Sequence, residues 1–443
     1  MERILLATVY PNLTELKIIN FQQEIVSNHF TNKSSARFIF QQQIINLTLI
    51  NNDTRNFDDS SKTYTINVYA HILNFFKNLK SLSIVQPYWK SYPGLSLVDL
   101  PSNTFFSPIL THLSISVNTF DDCLYLLDGR LKQLIMLSVI VYVIDNSSAT
   151  VHNMNNLPNL KCFSLKSFYR FKQYDKIVSL LHRMPFLEKL SLYLRVKGRN
   201  RVIDGTYIQH DILDYMPQLH SFTFYISTFI NTIDLFYKLS NEDIQQTITN
   251  IGQHDVASMV NYITNNKPEG SIFSLPFTFD YLEGLGNAFP NIIFSYVTFL
   301  LVQDIGGFKH EFFIRLARSF PLLKCLHIMN VQSQLSYDLN DLNTFLTDNT
   351  QSYSLIEYPH LTSLDLRYAN ECYLEQFLNE TKAYVPCLME LGAVAFLLEK
   401  VTNNFTREDT RRNCTKVEKL YLLGSLKHSK DVCHYLPSLK FFL

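Results

Sequence analysis

The chain has 443 residues, with 39 Lys+Arg against 39 Asp+Glu, and so carries no net charge. A neutral chain presents no electrostatic footprint for a phosphate backbone and no polybasic patch for an anionic membrane, so neither nucleic acid nor membrane is expected as a partner. Its 12 glycines are too few to favour folds built on Gly-rich phosphate loops, and its seven cysteines include no C-x-x-C pair, which fits reduced thiols in a cytoplasmic or nuclear protein better than a disulfide framework.

In chain order, the N-terminal MERILLATVY lacks a basic region followed by a long apolar run, so it is not a signal peptide. The phrase YPNLTELKIIN at 10–20 then opens a pattern, L-x-x-L-x-L, that recurs along the chain. Matches begin at Leu13, Ile44, Leu79, Leu110, Leu134, Leu160, Leu187, Leu219, Val297, Leu323, Leu361, Leu388 and Val417, with a truncated one at Leu439. Leu388 is the weakest, with only Ala393 at position six. Apart from one gap, successive starts lie 22 to 38 residues apart, the range of leucine-rich repeats with short or fuller helices. Nine of the 15 prolines, from Pro11 to Pro437, sit two residues before position one. A proline there ends the preceding connection without removing a ladder hydrogen bond.

Positions four and six fall on one side of a strand, and position one turns in just before it. Each unit thus offers three apolar side chains to a core that only stacking can bury. The connections read as helices: Tyr174–Met184 with Ile177, Leu180 and Leu181 on one face, His310–Phe320 with Phe312, Phe313, Leu316 and Ala317, and Phe120–Arg130 with Asp121 as N-cap and Gly129 as C-cap. Alternating strands and return helices predict an α/β fold, a leucine-rich-repeat-like solenoid (horseshoe) with a parallel concave sheet and helices or irregular connections on the convex side. The expected domain is single, 1–443.

The pattern weakens in places. Between Leu219 and Val297 lies a gap of 78 residues; 227–296 reads as a degenerate or interrupted repeat region, with a helix near His254–Thr264 and a strand near Ser271–Leu275. Asn51–Thr65 and Val331–Ser354 read as surface loops. Asn occupies position nine only at Asn52 and Asn118, so no Asn ladder is expected inside the turns. The longest apolar stretch, near Leu134–Ile144, is too short to span a bilayer. The sequon Asn146-Ser147-Ser148 reads as an accident of an Asn-rich chain.

These features resemble F-box/leucine-rich-repeat proteins, the substrate-recruiting subunits of SCF ubiquitin ligases. FDDCLYLLDGR at 120–130, NNLPNLKCFSL at 155–165, MPQLHSFTFYIS at 216–227 and TNNFT at 402–406 carry the likeness, which runs along nearly the whole chain. The resemblance implies a substrate-recruiting protein–protein interaction module. The F-box itself, a helical module opening on a Leu-Pro and acidic signature, is not found in the 443 residues. Docking onto the SCF adaptor is therefore expected only with an F-box upstream. Neither end carries the polar cap a solenoid needs; either the module was lost or the chain begins mid-solenoid. The alternative is a stand-alone repeat scaffold or decoy with no ubiquitin-ligase link.

No G-x-S-x-G, Walker loop, G-x-G-x-x-G or H-E-x-x-H occurs, and no Cys/His cluster has zinc spacing. His182, His220 and His327 stand isolated in sequence, and Asp121-Asp122 reads as a helix start rather than an acid/base dyad. No enzyme activity, cofactor or metal is expected. Position five, facing out of the concave sheet, reads Thr48, Ser83, Ser114, Ser138, Ser164, Ser191 and Thr223, then Leu301, His327 and Asp365. Position seven, on the same face, gives Lys166, Tyr193, Tyr225, Gln303, Met329 and Arg367. Two readings stand: a binding track for an unknown protein ligand, or small polar residues that suit a crowded, solvated sheet. The candidate partner-binding residues are Ser164, Lys166, Tyr193, Tyr225, His327, Met329, Asp365 and Arg367.

Overall fold

The computed structural model describes residues 12–21, 23–30, 39–50, 61–85, 94–145, 156–230, 239–248, 255–264, 267–334, 354–426 and 429–442. The chain is mixed α/β, with large, mostly parallel open sheets. It divides into two compact units, Met1–Phe229 with Thr247–Gly252, and Ile230–Gln246 with Gln253–Leu443. Among the described residues no helix is long and apolar enough to cross a membrane.

In the first unit eight strands lie side by side in chain order: β1 (Glu15–Ile19), β2 (Asn46–Ile50), β3 (Ser81–Val85), β4 (His112–Thr119), β5 (Met136–Val143), β6 (Cys162–Lys166), β7 (Lys189–Arg199) and β8 (Ser221–Ile230). β1 to β7 pair in parallel. The second unit opens with an antiparallel hairpin of β9 (Val256–Thr264) and β10 (Lys267–Ser274). A parallel sheet follows, made of β11 (Tyr281–Leu285), β12 (Phe299–Gln303) and β13 (Cys325–Asn330), then β15 (Ser363–Ala369), β17 (Glu390–Val394), β18 (Lys419–Leu423) and β19 (Phe441–Phe442). A short parallel pair, β14 (Ile356–Glu357) and β16 (Ala383–Tyr384), lies apart from it.

Each of the fourteen sequence matches is a strand that begins at its third position, including the weak match at Leu388 and the truncated one at Leu439. The register keeps the phase. Position four runs Leu16, Leu47, Leu82, Leu113, Leu137, Phe163 and Leu190 across β1 to β7. In the second unit it runs Leu300, Leu326, Leu364, Leu391, Leu420 and Phe442. Leu47 to Leu190 on this row are buried, as are Leu300 to Leu420. Burying each such side chain contributes roughly 1.5–3 kcal/mol.

The prolines act through a turn. In LPNL, MPFL, MPQL, FPLL and YPHL the amide of position one donates to the carbonyl three residues back, as from Leu160 to Leu157 (3.3 Å) and from Leu187 to Met184 (3.1 Å). Proline thus holds the second place of a tight turn, where its fixed φ is pre-set. The turn also forms without proline at Leu131–Leu134 and Phe294–Val297. Its first residue is a fourth inward position that the template omits: Met184, Met216, Phe294, Phe320, Tyr358 and Leu436 are all buried there.

Helices return the chain between strands. Tyr174–Leu181 buries Ile177, Leu180 and Leu181, and His310–Ser319 buries Phe312, Phe313 and Leu316. In Phe120–Leu126 the N-cap is Thr119 rather than Asp121. The Thr119 hydroxyl accepts from the Asp122 amide (3.3 Å) while the Asp122 carboxylate accepts from the Thr119 amide (2.8 Å), a reciprocal capping box. Gly129, beyond the helix end, has φ +107°, a conformation open to glycine without strain.

Three local expectations are corrected. The segment read as a helix near His254–Thr264 is strand β9: in VASMVNYIT the β-branched and aromatic residues suit a strand, and pairing with β10 supersedes the helical spacing. Within Asn51–Thr65, residues 61–65 are helical; 51–60 lie outside the described residues, as do 335–353 of Val331–Ser354 and the sequon at 146–148. Third, a side-chain ladder does cross the turns of the second unit. Asp304 accepts from the amides of Asn287 (2.6 Å) and Gly306 (3.0 Å). Asn330 donates to the Gly306 carbonyl (2.7 Å) and accepts from the Gln332 amide (2.9 Å). Asn370 donates to the Val331 carbonyl (3.2 Å) and accepts from the Cys372 amide (3.1 Å). These residues occupy positions eight, eight and ten, so a search at position nine misses them. Asn52 lies outside the described residues, and Asn118 is held through its backbone, donating to the Leu95 carbonyl (2.9 Å).

Candidate recognition surface

Because successive strand residues point to opposite faces, the apolar rows at positions four and six leave positions three, five and seven on the other face. In the first unit the position-five row is continuous. Thr48, Ser83, Ser114, Ser138, Ser164 and Ser191 are paired neighbours across β2 to β7, each half-exposed. Lys166 is half-exposed at position seven.

Tyr193 and Tyr225, expected to face outward for binding, are buried. β7 and β8 continue well past the template, and the chain leaving β6 stays alongside β7. There Ser167 donates to the Tyr193 carbonyl (2.8 Å) and Phe171 to the Arg195 carbonyl (2.9 Å). This sets Phe168 against Tyr193 with ring centroids 5.9 Å apart, while Tyr193 stacks on Tyr225 at 4.8 Å. Both tyrosines serve a local aromatic core; a six-residue pattern could not reveal what lies beyond its own end.

The second unit brings its candidates together. His327 and Asp365 are register partners on β13 and β15. Arg367, two residues along, grips the Asp365 carboxylate with two bonds, Nε to Oδ1 (3.0 Å) and Nη2 to Oδ2 (2.7 Å). His327 Nδ1 lies 3.9 Å from Asp365 Oδ2, so the histidine that stands alone in sequence is part of a cluster in the fold. Its ring meets Phe299 edge-on at 4.7 Å, and Phe299 stacks on Tyr281 at 4.6 Å. On the far side the Arg367 guanidinium lies 5.9 Å from the centre of the Tyr421 ring. Met329 is exposed beside them. Gly392, at position five of β17, makes room for the pair: a Cβ there would stand 2.6 Å from Asp365 Oδ1. Glu390 and Lys419 pair on adjacent strands at 2.7 Å.

The electrostatics follow. Burial lowers the pKa of His327, Asp365 opposes that, and Arg367 adds to it; the net direction is down, so the ring is neutral at pH 7. Burial alone would raise Asp365, but the hydrogen bonds from Arg367 outweigh it and hold the carboxyl below its ordinary range. Cys325, on the same face, is pushed up to about 11 by burial and by Glu390, with Lys324 opposing. A thiol held protonated is the reverse of an activated nucleophile. Elsewhere His182 Nε2 donates to the Asp211 carbonyl (2.9 Å) and the ring stacks on Tyr215, a satisfied histidine. Among the described residues no three His, Cys, Asp or Glu side chains form a group able to hold a metal ion.

Position five and seven spacing located His327, Met329, Asp365 and Arg367. It missed Tyr281, Phe299, Gly392 and Tyr421. Phe299 sits at position three, on the same face, and Gly392 and Tyr421 at position five of later units, where the same count reaches them; Tyr281, the register partner of Phe299, lies in the gap between Leu219 and Val297, where no match marks its place. The chain matches no protein-family model and no curated protein.

Proposed function

We propose that the chain is a leucine-rich-repeat solenoid that works as a protein-recognition module, of the kind that recruits substrates in F-box proteins. The observation that carries the reading is the in-phase stacking of the repeats: within each unit it buries most of positions four and six and leaves most of positions three and five open on the other face, with residue types that change from strand to strand. On that face the second unit holds an aromatic and Arg patch, Tyr281, Phe299, His327, Arg367 and Tyr421, and such residues are common anchors of interfaces. Arg367 is fixed by Asp365 and Tyr421 before any partner arrives, which lowers the entropy lost on binding.

A second reading, a scaffold or decoy without ubiquitin transfer, is favoured by the lack of an F-box signature in these residues. Affinity capture with cross-linking and mass spectrometry tests both. A partner cross-linked near Arg367, and lost on Arg367→Glu with Tyr421→Ala, supports recognition by this face. Recovery of the SCF adaptor with the natural full-length product supports the ligase reading; a retained partner without the adaptor supports the scaffold. Partners that ignore both substitutions and cross-link only away from the sheet faces would sink the recognition surface.

A further inference from the structure

We propose that His327 is a proton-operated latch on the recognition face of the second unit. Uncharged, the ring leaves Arg367 clamped and accepts an apolar surface of a partner protein; charged, it contends for Asp365 and expels that surface. This rests on the recognition reading above and names how the same site is regulated.

One carboxylate oxygen faces two donors. Arg367 Nη2 donates to Asp365 Oδ2 at 2.7 Å, and His327 Nδ1 stands 3.9 Å from the same atom, beyond hydrogen-bond reach. An imidazolium carries N–H groups at both nitrogens, so protonation makes Nδ1 a charge-assisted donor that gains by closing about 1 Å on Oδ2. It then shares Oδ2 with Nη2, and the ring shifts from its edge-on contact with Phe299, 4.7 Å between centroids. Arg367 has room to yield. Between Asp365 and Tyr368, β15 carries Leu366 and Arg367 against Ile328 alone on β13, and an irregularity of this kind re-aims the side chains it carries. Arg367 keeps its bonds to Oδ1, from Nε (3.0 Å) and from its own amide (3.1 Å), so the clamp loosens without coming apart.

Few charges surround the ring. β12 faces it with Phe299, Leu301 and Gln303, none of which titrates. β15 supplies Asp365 and Arg367. On its own strand stands Cys325, whose thiol burial keeps protonated, with Lys324 just before it. Farther out, Glu283 lies across Leu301 on β11, and Glu390 lies across Ser363 on β17 and pairs with Lys419. Asp365 and Arg367 cancel at pH 7. With His327 charged, the cluster sets an imidazolium and a guanidinium on one carboxylate and carries one net positive charge.

The sign of the effect follows from exposure. Of the His327 side chain 32% remains open to water, and Phe299, Leu301 and Met329 border it on the same face. A partner that lays apolar surface there removes this water and disfavours the charged ring further, beyond the burial that already lowers its pKa. Binding and protonation then oppose each other, and by reciprocity the proton weakens the partner as much as the partner repels the proton. A partner bringing a carboxylate to the ring would bind more tightly in acid instead.

Two measurements on the full chain test the latch. In histidine- and arginine-labelled protein, NMR between pH 5 and 8 should show His327 titrating below 6.5 and the Arg367 Nε–H resonance moving with the same midpoint. His327→Asn and Arg367→Lys assign the two signals, and His327→Asn should abolish the Arg367 step. An Arg367 resonance that ignores pH, or that moves unchanged in His327→Asn, overturns the latch. The binding probes are synthetic single-domain binders selected on the chain at pH 7.5, from a library without His, Asp or Glu at its variable positions, and kept if Arg367→Glu abolishes their binding. At pH 5.5 they should weaken about threefold or more, and His327→Asn should remove that dependence. A natural partner cross-linked at this patch should show the same sign. Affinity that stays flat or rises in acid overturns the release and leaves recognition standing. Failure to obtain any Arg367-dependent binder sinks the recognition surface, while the NMR step still decides the latch.

Discussion

Asp365 and Gly392 show how one side chain is chosen by its neighbour. Asp365 leans into the space that a Cβ at position 392 would occupy, 2.6 Å from its Oδ1. Gly392→Ala must displace the carboxylate or the strand and is expected to cost about 1–3 kcal/mol. In denaturant melts its effect should shrink when Asp365→Ala is added, because the clash is then gone. His327 predicts a pH dependence. Its pKa in the folded chain lies below its ordinary 6.5, so the unfolded chain binds the proton more readily. Stability from this group is therefore full above about pH 6.5 and falls as the pH drops through 6.5 toward the folded value. Denaturation midpoints between pH 5 and 8 should show that slope, and His327→Asn should flatten it; an unchanged slope would remove the histidine from the account. The thiols give a simpler check. Burial, with Asp122 beside it, pushes Cys123 up to about 12, and burial does the same to Cys414. A thiol reagent should modify exposed Cys433 well before either.

At the scale of the element, the strands follow from six residues each, while the helix ends and turns need residues farther apart. Thr119 caps its helix through a residue three positions on, which made Asp121, the first acidic residue after it, look like the cap. Thr119→Ala should cost about 1 kcal/mol, read from the shift of a thermal or urea transition. Asn330 bonds two successive turns at once, so Asn330→Ala leaves the part-buried Gly306 carbonyl and the Gln332 amide short of a partner. A loss of about 1 kcal/mol is expected, and a neutral result would mean that water replaces both bonds. The ladder was hidden from the sequence because its members do not share one position. β13 and β15 slip by one residue between His327 and Met329, so Asn330 pairs with Ala369, and this accounts for one of the two positions that separate Asn370 from Asn330.

For the whole molecule, stacking makes each repeat depend on its neighbours. Leu137→Ala is expected to cost about 2–5 kcal/mol and to lower hydrogen-exchange protection in β4, β5 and β6 more than in the second unit; uniform loss across all strands would argue against stepwise coupling. By itself the sequence determined the fourteen repeat strands, their phase, their inward residues and the outward row of hydroxyls. It could do so because burying one face of a strand writes a period of two into the chain, and stacking repeats that phrase. The tertiary structure alone decided which outward residues stay accessible. Tyr193 and Tyr225 follow the same period as Met329 and Arg367, yet neighbouring aromatic chains bury the first two and leave the others open. It also decided that Val256–Thr264 is a strand, since its partner lies in β10, and that His327, Asp365 and Arg367 form one cluster with Tyr421. These outcomes depend on segments tens of residues away, and a local repeat carries no record of what packs against it.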